Sequence, residues 1–262
     1  LSCSGSFPGN NLPADWVAMN DAYWAASMAA DDEHLAIPVL YGVDAVHGHS
    51  NVRGATIFPH NLGLGAANDL DLTGRVARVT ALETLATGIE WTFAPNLAVA
   101  HNINWGRTYE SFSELTTLVS SHGIDYIRQL QTDFSENSVL ACAKHWVGDG
   151  GTTNGINQGE TTLTKDALKS IHMAPFQGAI KAGVLTIMAS SNSWNGDKCH
   201  GHRQLITDTL KQEMQFQGFV ISDWDGIDYL SEDYHSAVAL AVNAGIDMFM
   251  ISENWREFIA HL

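Results

Sequence analysis

Residues 139–151 read Val-Leu-Ala-Cys-Ala-Lys-His-Trp-Val-Gly-Asp-Gly-Gly. The stretch runs apolar from Val139 to Val147, carries Lys144 and His145 near its end, and breaks on Gly148. It does not alternate apolar with polar, so neither face is meant for water. That is the pattern of a strand in a parallel sheet covered by helices on both sides. A lysine beside a histidine at the end of such a strand is costly to bury without partners, so the pair reads as functional rather than structural.

Working outward, similar apolar runs occur at 37–43, 91–99, 184–190, 219–224 and 248–251, with a weaker one at 56–64. Helical spacing fills most of the intervals: 13–30, a helix begun by Asn68 with Leu72, Val76, Val79 and Leu82 on one face, then 111–130, 164–182, 204–214 and 233–244. Strands alternating with helices predict an α/β fold. A (β/α)8 barrel and an open doubly wound sheet both fit this order. A barrel needs an eighth strand, expected before Leu1. The sequence opens on a polar loop and stops within a helix-like segment, ENWREFIAHL. The expectation is one domain over 1–262, truncated at both ends.

Composition narrows the function. The chain of 262 residues has 13 Lys+Arg against 29 Asp+Glu, a formal net charge of −16. That argues against a nucleic-acid binder and against an anionic membrane surface as partner. A hydrophobic fraction of 45% with 16% charged residues supports a sizeable core. The longest apolar run, 237–251, is broken by Asn243 and Asp247, too soon for a membrane span. Three cysteines, Cys3, Cys142 and Cys199, allow at most one bridge, and Cys142 reads as a small core residue.

Both candidate architectures place function at the C-terminal ends of strands. Those ends carry Asp44, His47 and His49; Trp105, Arg107 and Glu110; Lys144, His145 and Asp149; Ser191, Asn192 and Trp194; and Asp223 and Trp224. Carboxylates with Lys and Arg can hold vicinal hydroxyls by charge-assisted hydrogen bonds. Tryptophan offers a flat apolar face to a sugar ring. The set therefore suits a carbohydrate. Blander readings stand beside it: Asp44 as a turn cap, Asp223 as a helix N-cap, and the His47/His49 pair as structural, because no HExxH or carboxylate cluster completes a metal site. Gly150-Gly151 without GK[ST] is no phosphate loop, and Gly63-Leu64-Gly65-Ala66 lacks the third glycine of a dinucleotide fingerprint. No cofactor is expected.

Five segments taken in order resemble glycoside hydrolase family 3, the retaining β-glucosidases and exo-β-glucanases: GVDAVHGHSNVRGATIFPHNLGLGAAND, APNLAVAHNINWGRTYESFSE, ACAKHWVGDGGT, MASSNSWNG and GFVISDWDGID. The resemblance spans roughly 37–253 and favours a (β/α)8 TIM-like barrel. It implies that Asp223 is the catalytic nucleophile. It further implies that Asp44, Arg107, Lys144, His145 and Met188 line the glucose pocket and that Trp224 is a platform for the next sugar. The substrate would be a β-linked glucose oligosaccharide or glucoside.

The partner acid/base, in family members with these motifs, comes from a second α/β sandwich domain that follows the barrel and is absent from this chain. The His-Asp motif of the family's N-acetylglucosaminidase branch is missing from GDGGTTNGINQGET. Such enzymes are commonly secreted or periplasmic. Three positions depart from the family pattern. His101-Asn102 stand where an Arg-Asp pair usually braces the loop of Arg107, Ser191 replaces a pocket aromatic, and Ser113-Glu114-Leu115 replaces Ser-Glu-Asp. Two other readings remain: a sugar-binding module without catalysis, and a metal-dependent barrel enzyme using Asp44, His47 and His49.

Overall fold

The computed structural model describes residues 1–2, 6–29, 31, 35–134 and 136–262. Its main sheet has five parallel strands in the order β1 (Gly42–Val43), β2 (Trp91–Thr92), β3 (Leu140–Trp146), β5 (Thr186–Ala189) and β8 (Phe219–Ile221). Single parallel bridges extend it at both edges, Ser2 to Gly42 and Met248 to Ile221. The spatial order follows the chain order without reversal. An open doubly wound sheet reverses at its switch point, so the winding is that of a β/α barrel.

The barrel is not closed among the described residues, because no ladder joins Ser2 to Met248. The two edges instead face each other across a cavity of about 510 Å³ bordered by Leu1, Ser2 and Met248. A small second sheet, β4 (Glu160–Thr161), β6 (Ser193–Trp194) and β7 (Asp197–Lys198), ties together the loops that follow β3 and β5.

Outside the sheet lie α1 (Pro13–Met28), α2 (Asn61–Ala67), α3 (Leu70–Leu85), α4 (Thr116–Leu130), α5 (Lys165–Leu168) and α6 (Ala174–Lys181), the last two joined by a π-helical turn. A second π-helical stretch, Gln204–Glu213, precedes β8, and α7 (Tyr234–Ala244) and α8 (Trp255–His261) follow it. Helix α3 packs on α4 and α4 on α6, burying Val76, Ala77, Val119, Ile127, Leu130 and Phe176 in one continuous core. The starts of α3 and α7 are set by Asp69 and Asp233, whose carboxylates accept the amides of Leu72 and Ser236. Helix α7 ends on Gly245, whose φ of +106° suits a residue without Cβ. The inner face of the sheet is filled by Trp91, Phe93, Cys142, Met188 and Ile221. No Cβ fits at Gly42, where Phe93 and Trp91 close over the backbone.

The structure corrects several expected elements. Residues 56–64 form no strand. Pro59 removes a ladder donor, and the Thr56 amide and hydroxyl are taken by the Glu83 carboxylate at 2.8 and 2.7 Å. The chain then enters α2 at Asn61. The 91–99 strand keeps only two ladder residues, because Pro95 interrupts it; Asn96 rejoins the sheet as a single bridge to Lys144. The 111–130 helix starts at Thr116, since the Ser111 hydroxyl bonds the carbonyls of Ala98 and Ser113 and holds that segment extended. The 248–251 strand is a single bridge at Met248. Cys142 and Cys199 are free and buried, whereas Cys3 and Ala30 lie outside the described residues.

Candidate active site

The C-terminal ends of β1, β3 and β8, with the loops after β2 and β5, bring the charged groups to one place. Lys144 sits near the end of β3 with its side chain 5% exposed, and its Nζ donates to Asp44 Oδ1 at 2.9 Å. Burial alone would favour the neutral amine, but the Asp44 carboxylate outweighs it and holds the Lys144 pKa above its ordinary value. The register between β3 and β5 shifts between Lys144 and Trp146, so side-chain alternation breaks where both Lys144 and His145 are needed.

His145 is buried, with Nδ1 2.8 Å from Asp149 Oδ2. Its Nε2 faces Arg107 Nη2 at 3.2 Å and Asp223 Oδ2 at 4.0 Å. A ring that accepts from Arg107 at Nε2 donates a hydrogen bond from Nδ1–H to Asp149.

Arg107 enters the site from a turn closed by Asn102, whose carbonyl accepts from the Trp105 amide and the Thr108 hydroxyl. Its Nε and Nη2 donate to both oxygens of Glu110 at 2.6 and 2.8 Å. Glu110 is pinned in turn by the Asn96 side-chain amide, and Asn61 holds the Glu110 carbonyl. Burial would raise the Glu110 pKa, but the bidentate bonds and charge of Arg107 win and lower it to about 2. The same pairing outweighs burial on the arginine and raises its pKa. The loop that lacks the Arg-Asp brace is therefore braced by Arg107–Glu110 itself.

Asp223 follows β8 directly. Its Oδ1 accepts the Trp224 amide at 2.7 Å and its Oδ2 accepts the Ser191 hydroxyl at 3.2 Å. Burial favours the neutral acid. His145, the Trp224 amide, His200 and Lys144 together outweigh burial and lower the pKa, the two imidazoles adding charge only when protonated. An ionised carboxylate thus faces the site without a cation in direct contact.

Of the residues picked from the sequence, Asp44, Arg107, Lys144, His145 and Asp223 converge. Met188 pairs in register with Lys144 and Ile221 and is buried in the inner apolar cluster. Trp224 is 39% exposed and borders the 510 Å³ cavity with Trp91, Phe93 and Ile221. His47 and His49 do not act together: His47 Nδ1 contacts the Phe58 carbonyl, whereas buried His49 contacts the Thr87 hydroxyl, and burial lowers its pKa to about 4. Among the described residues no group of three or more His, Cys, Asp or Glu side chains is arranged to hold a metal ion.

Sequence reading placed Glu110 and Asp149 at strand ends without assigning either a partner, and it passed over His200. The first two had a usable signal, three residues after Arg107 and four after His145. His200 had none.

Residues 6–262 match the family described as Glycosyl hydrolase family 3 N terminal domain. The chain belongs to that family. It is similar to an exo-1,3/1,4-beta-glucanase from a Pseudoalteromonas species, with a TM-score of 0.91 and 42% identity over 97% of this chain and 34% of that one. It is 34% identical to a lysosomal beta glucosidase of Dictyostelium discoideum over 82% of this chain and 28% of that protein. It is 31% identical to a periplasmic beta-glucosidase of Salmonella typhimurium over 87% of this chain and 30% of that protein. The chain thus spans roughly a third of the length of these relatives.

Proposed function

We propose that this chain carries the nucleophile and glucose pocket of a retaining β-glucosidase or exo-β-glucanase. The observation that carries the reading is Asp223: a carboxylate kept ionised, oriented by Trp224 and Ser191, and facing a ring of Lys144, Asp44, His145 and Arg107. Lys144, Asp44 and Arg107 hold the hydroxyls of a terminal glucose, and those bonds strengthen as the ring becomes oxocarbenium-like. Asp223 attacks the anomeric carbon as the glycosidic oxygen leaves, forming a glycosyl ester. Water then attacks the same carbon, releasing glucose and restoring the carboxylate.

A second carboxyl group about 5–5.5 Å from the nucleophile must protonate the leaving oxygen. Asp44, Glu110 and Asp149 are each committed to a basic partner, and Glu110 is far too acidic for a proton donor. As the resemblance to family 3 implies, we assign the acid/base to a second domain of a longer enzyme. The site of action is outside the cytoplasm, secreted or periplasmic, in keeping with the Salmonella relative.

The pairing of Asp44, Glu110 and Asp149 with basic partners supports a second reading for the isolated chain, in which it binds sugar with little turnover. A 2-deoxy-2-fluoro-glucosyl inactivator with an activated leaving group decides between them. Covalent label on the peptide holding Asp223 supports the nucleophile. Calorimetric glucose binding with no label supports the binding-only reading.

A further inference from the structure

We propose that His200 is a positioning residue for the nucleophile, anchoring the backbone amide of Asp223 on its Nε2 through a neutral ring protonated at Nδ1.

The need for an anchor follows from the sheet. On the outer side of β8, the Ser222 amide bonds the Met248 carbonyl at 2.9 Å and the Asp225 amide bonds the Met250 carbonyl at 3.0 Å. The Asp223 amide points the other way, towards β5. The β5–β8 register, Met188 opposite Ile221, would bring the backbone near Ser190 opposite Asp223. Continuing the ladder, in which the Phe219 amide bonds the Leu185 carbonyl, would give the Asp223 amide to the Ala189 carbonyl, but β5 stops at Ala189 and that bond is not made. An amide with no ladder partner in a buried place costs about 1–3 kcal/mol. His200 fills the gap: the Asp223 amide donates to its Nε2 at 2.9 Å.

An acceptor ring nitrogen carries no proton, so the ring's proton lies on Nδ1. His200 is fully buried in a turn over Cys199–Gly201, and that turn is tied to the Asn192 carbonyl by the Cys199 amide. Gly226 lies against the imidazole so closely that no Cβ fits there. The ring is thus clamped between the turn that follows the nucleophile and the loop after β5. Burial lowers its pKa to about 4, against the pull of the Asp223 charge and with the help of His145 and Lys198. The acceptor form therefore prevails at neutral pH. With its amide on His200, one oxygen on Trp224 and the other on Ser191, Asp223 is fixed at three points.

This inference rests on Asp223 being the nucleophile, and the test separates the two. In the chain labelled with nitrogen-15, NMR is expected to show His200 as the Nδ1–H tautomer, with a through-bond coupling between the Asp223 amide and His200 Nε2. An Nε2–H tautomer, or no coupling, overturns the anchor. His200→Phe keeps a ring but removes the acceptor, and is expected to slow fluoroglucosyl labelling of Asp223 about 10- to 100-fold. Glucose affinity should stay within about twofold, since Lys144, Asp44 and Arg107 are untouched. His200→Gln, which returns an acceptor oxygen, is expected to recover most of the rate. Labelling of His200→Phe at the wild-type rate overturns the proposal. A wild-type chain that shows the coupling but takes no label keeps the anchor and overturns the nucleophile.

Discussion

The ends of β3 and β8 lie in the same sheet and treat charge in opposite ways. At β3 each charged group already has a partner of opposite sign: Lys144 has Asp44, His145 has Asp149, and the neighbouring Arg107 has Glu110. At β8 the Asp223 carboxylate is held only by a backbone amide and a hydroxyl, with the nearest imidazole nitrogen 4.0 Å away. A carboxylate locked in an ion pair is a poor nucleophile, because attack must first break the pair. The β3 end is thus a fixed field, and the β8 end is the group that field keeps ionised.

The hardest test of that contrast is Asp223→Asn. It should leave the fold intact, because no cation depends on Asp223 alone. It should also cut hydrolysis of an activated aryl β-glucoside by at least about 10⁴-fold, as removal of a nucleophile does. Substantial residual turnover at unchanged KM would move the chemistry elsewhere.

On the β3 side the largest effect falls on stability rather than on chemistry. The Glu110 pKa is about 2 in the folded chain, against an ordinary value of 4.5. A depressed carboxylate contributes stability that is present above its unfolded pKa and lost as pH falls through the folded one. The window is therefore pH 4.5 down to about 2. Glu110→Gln should cost on the order of 3 kcal/mol at neutral pH. It should also flatten the fall in urea stability between pH 5 and pH 3. An unchanged slope would show that the Arg107–Glu110 pair does not brace the loop.

Lys144→Met separates field from fold at one position. The methionine nearly fills the lysine's volume, and half-exposed Asp44 regains water, so stability should change by no more than about 1–2 kcal/mol. The lost charge-assisted bonds to sugar should lower kcat/KM about 10- to 100-fold. A variant that unfolds instead would make Lys144 a structural ion pair.

What the sequence made legible follows the same division. The apolar run 139–147 announced β3, and the strand ends named Asp44, Arg107, Lys144, His145 and Asp223, because charge next to an apolar strand is conspicuous. The winding was not decidable from the strand order alone, and the edge bridge at Ser2 came from two residues with no periodicity. The 56–64 stretch looked like a strand because Thr56, Ile57 and Phe58 are β-branched or aromatic, but Glu83 captures the Thr56 amide and hydroxyl from a helix distant in sequence. His200 was invisible for a similar reason. Its role depends on β5 stopping one residue short of the Asp223 amide, a fact of register that no local pattern carries.

The smallest expected effect comes from Trp224, which shares a backbone with the proposed nucleophile but not its restraints. Its amide is committed to Asp223, whereas its indole is 39% exposed beside an apolar cavity. Trp224→Ala keeps the amide, so the orientation of Asp223 should survive and labelling by a fluoroglucoside should change little. On the proposed reading, what disappears is a stacking face for the sugar beyond the scissile bond, worth about 0.5–1.5 kcal/mol. With a β-linked glucose disaccharide KM should therefore rise about twofold to tenfold at near-constant kcat, and with an aryl glucoside of poor stacking area less still. If kcat falls as well, the indole is restraining the nucleophile, and the β8 end is more tightly wired than its open carboxylate suggests.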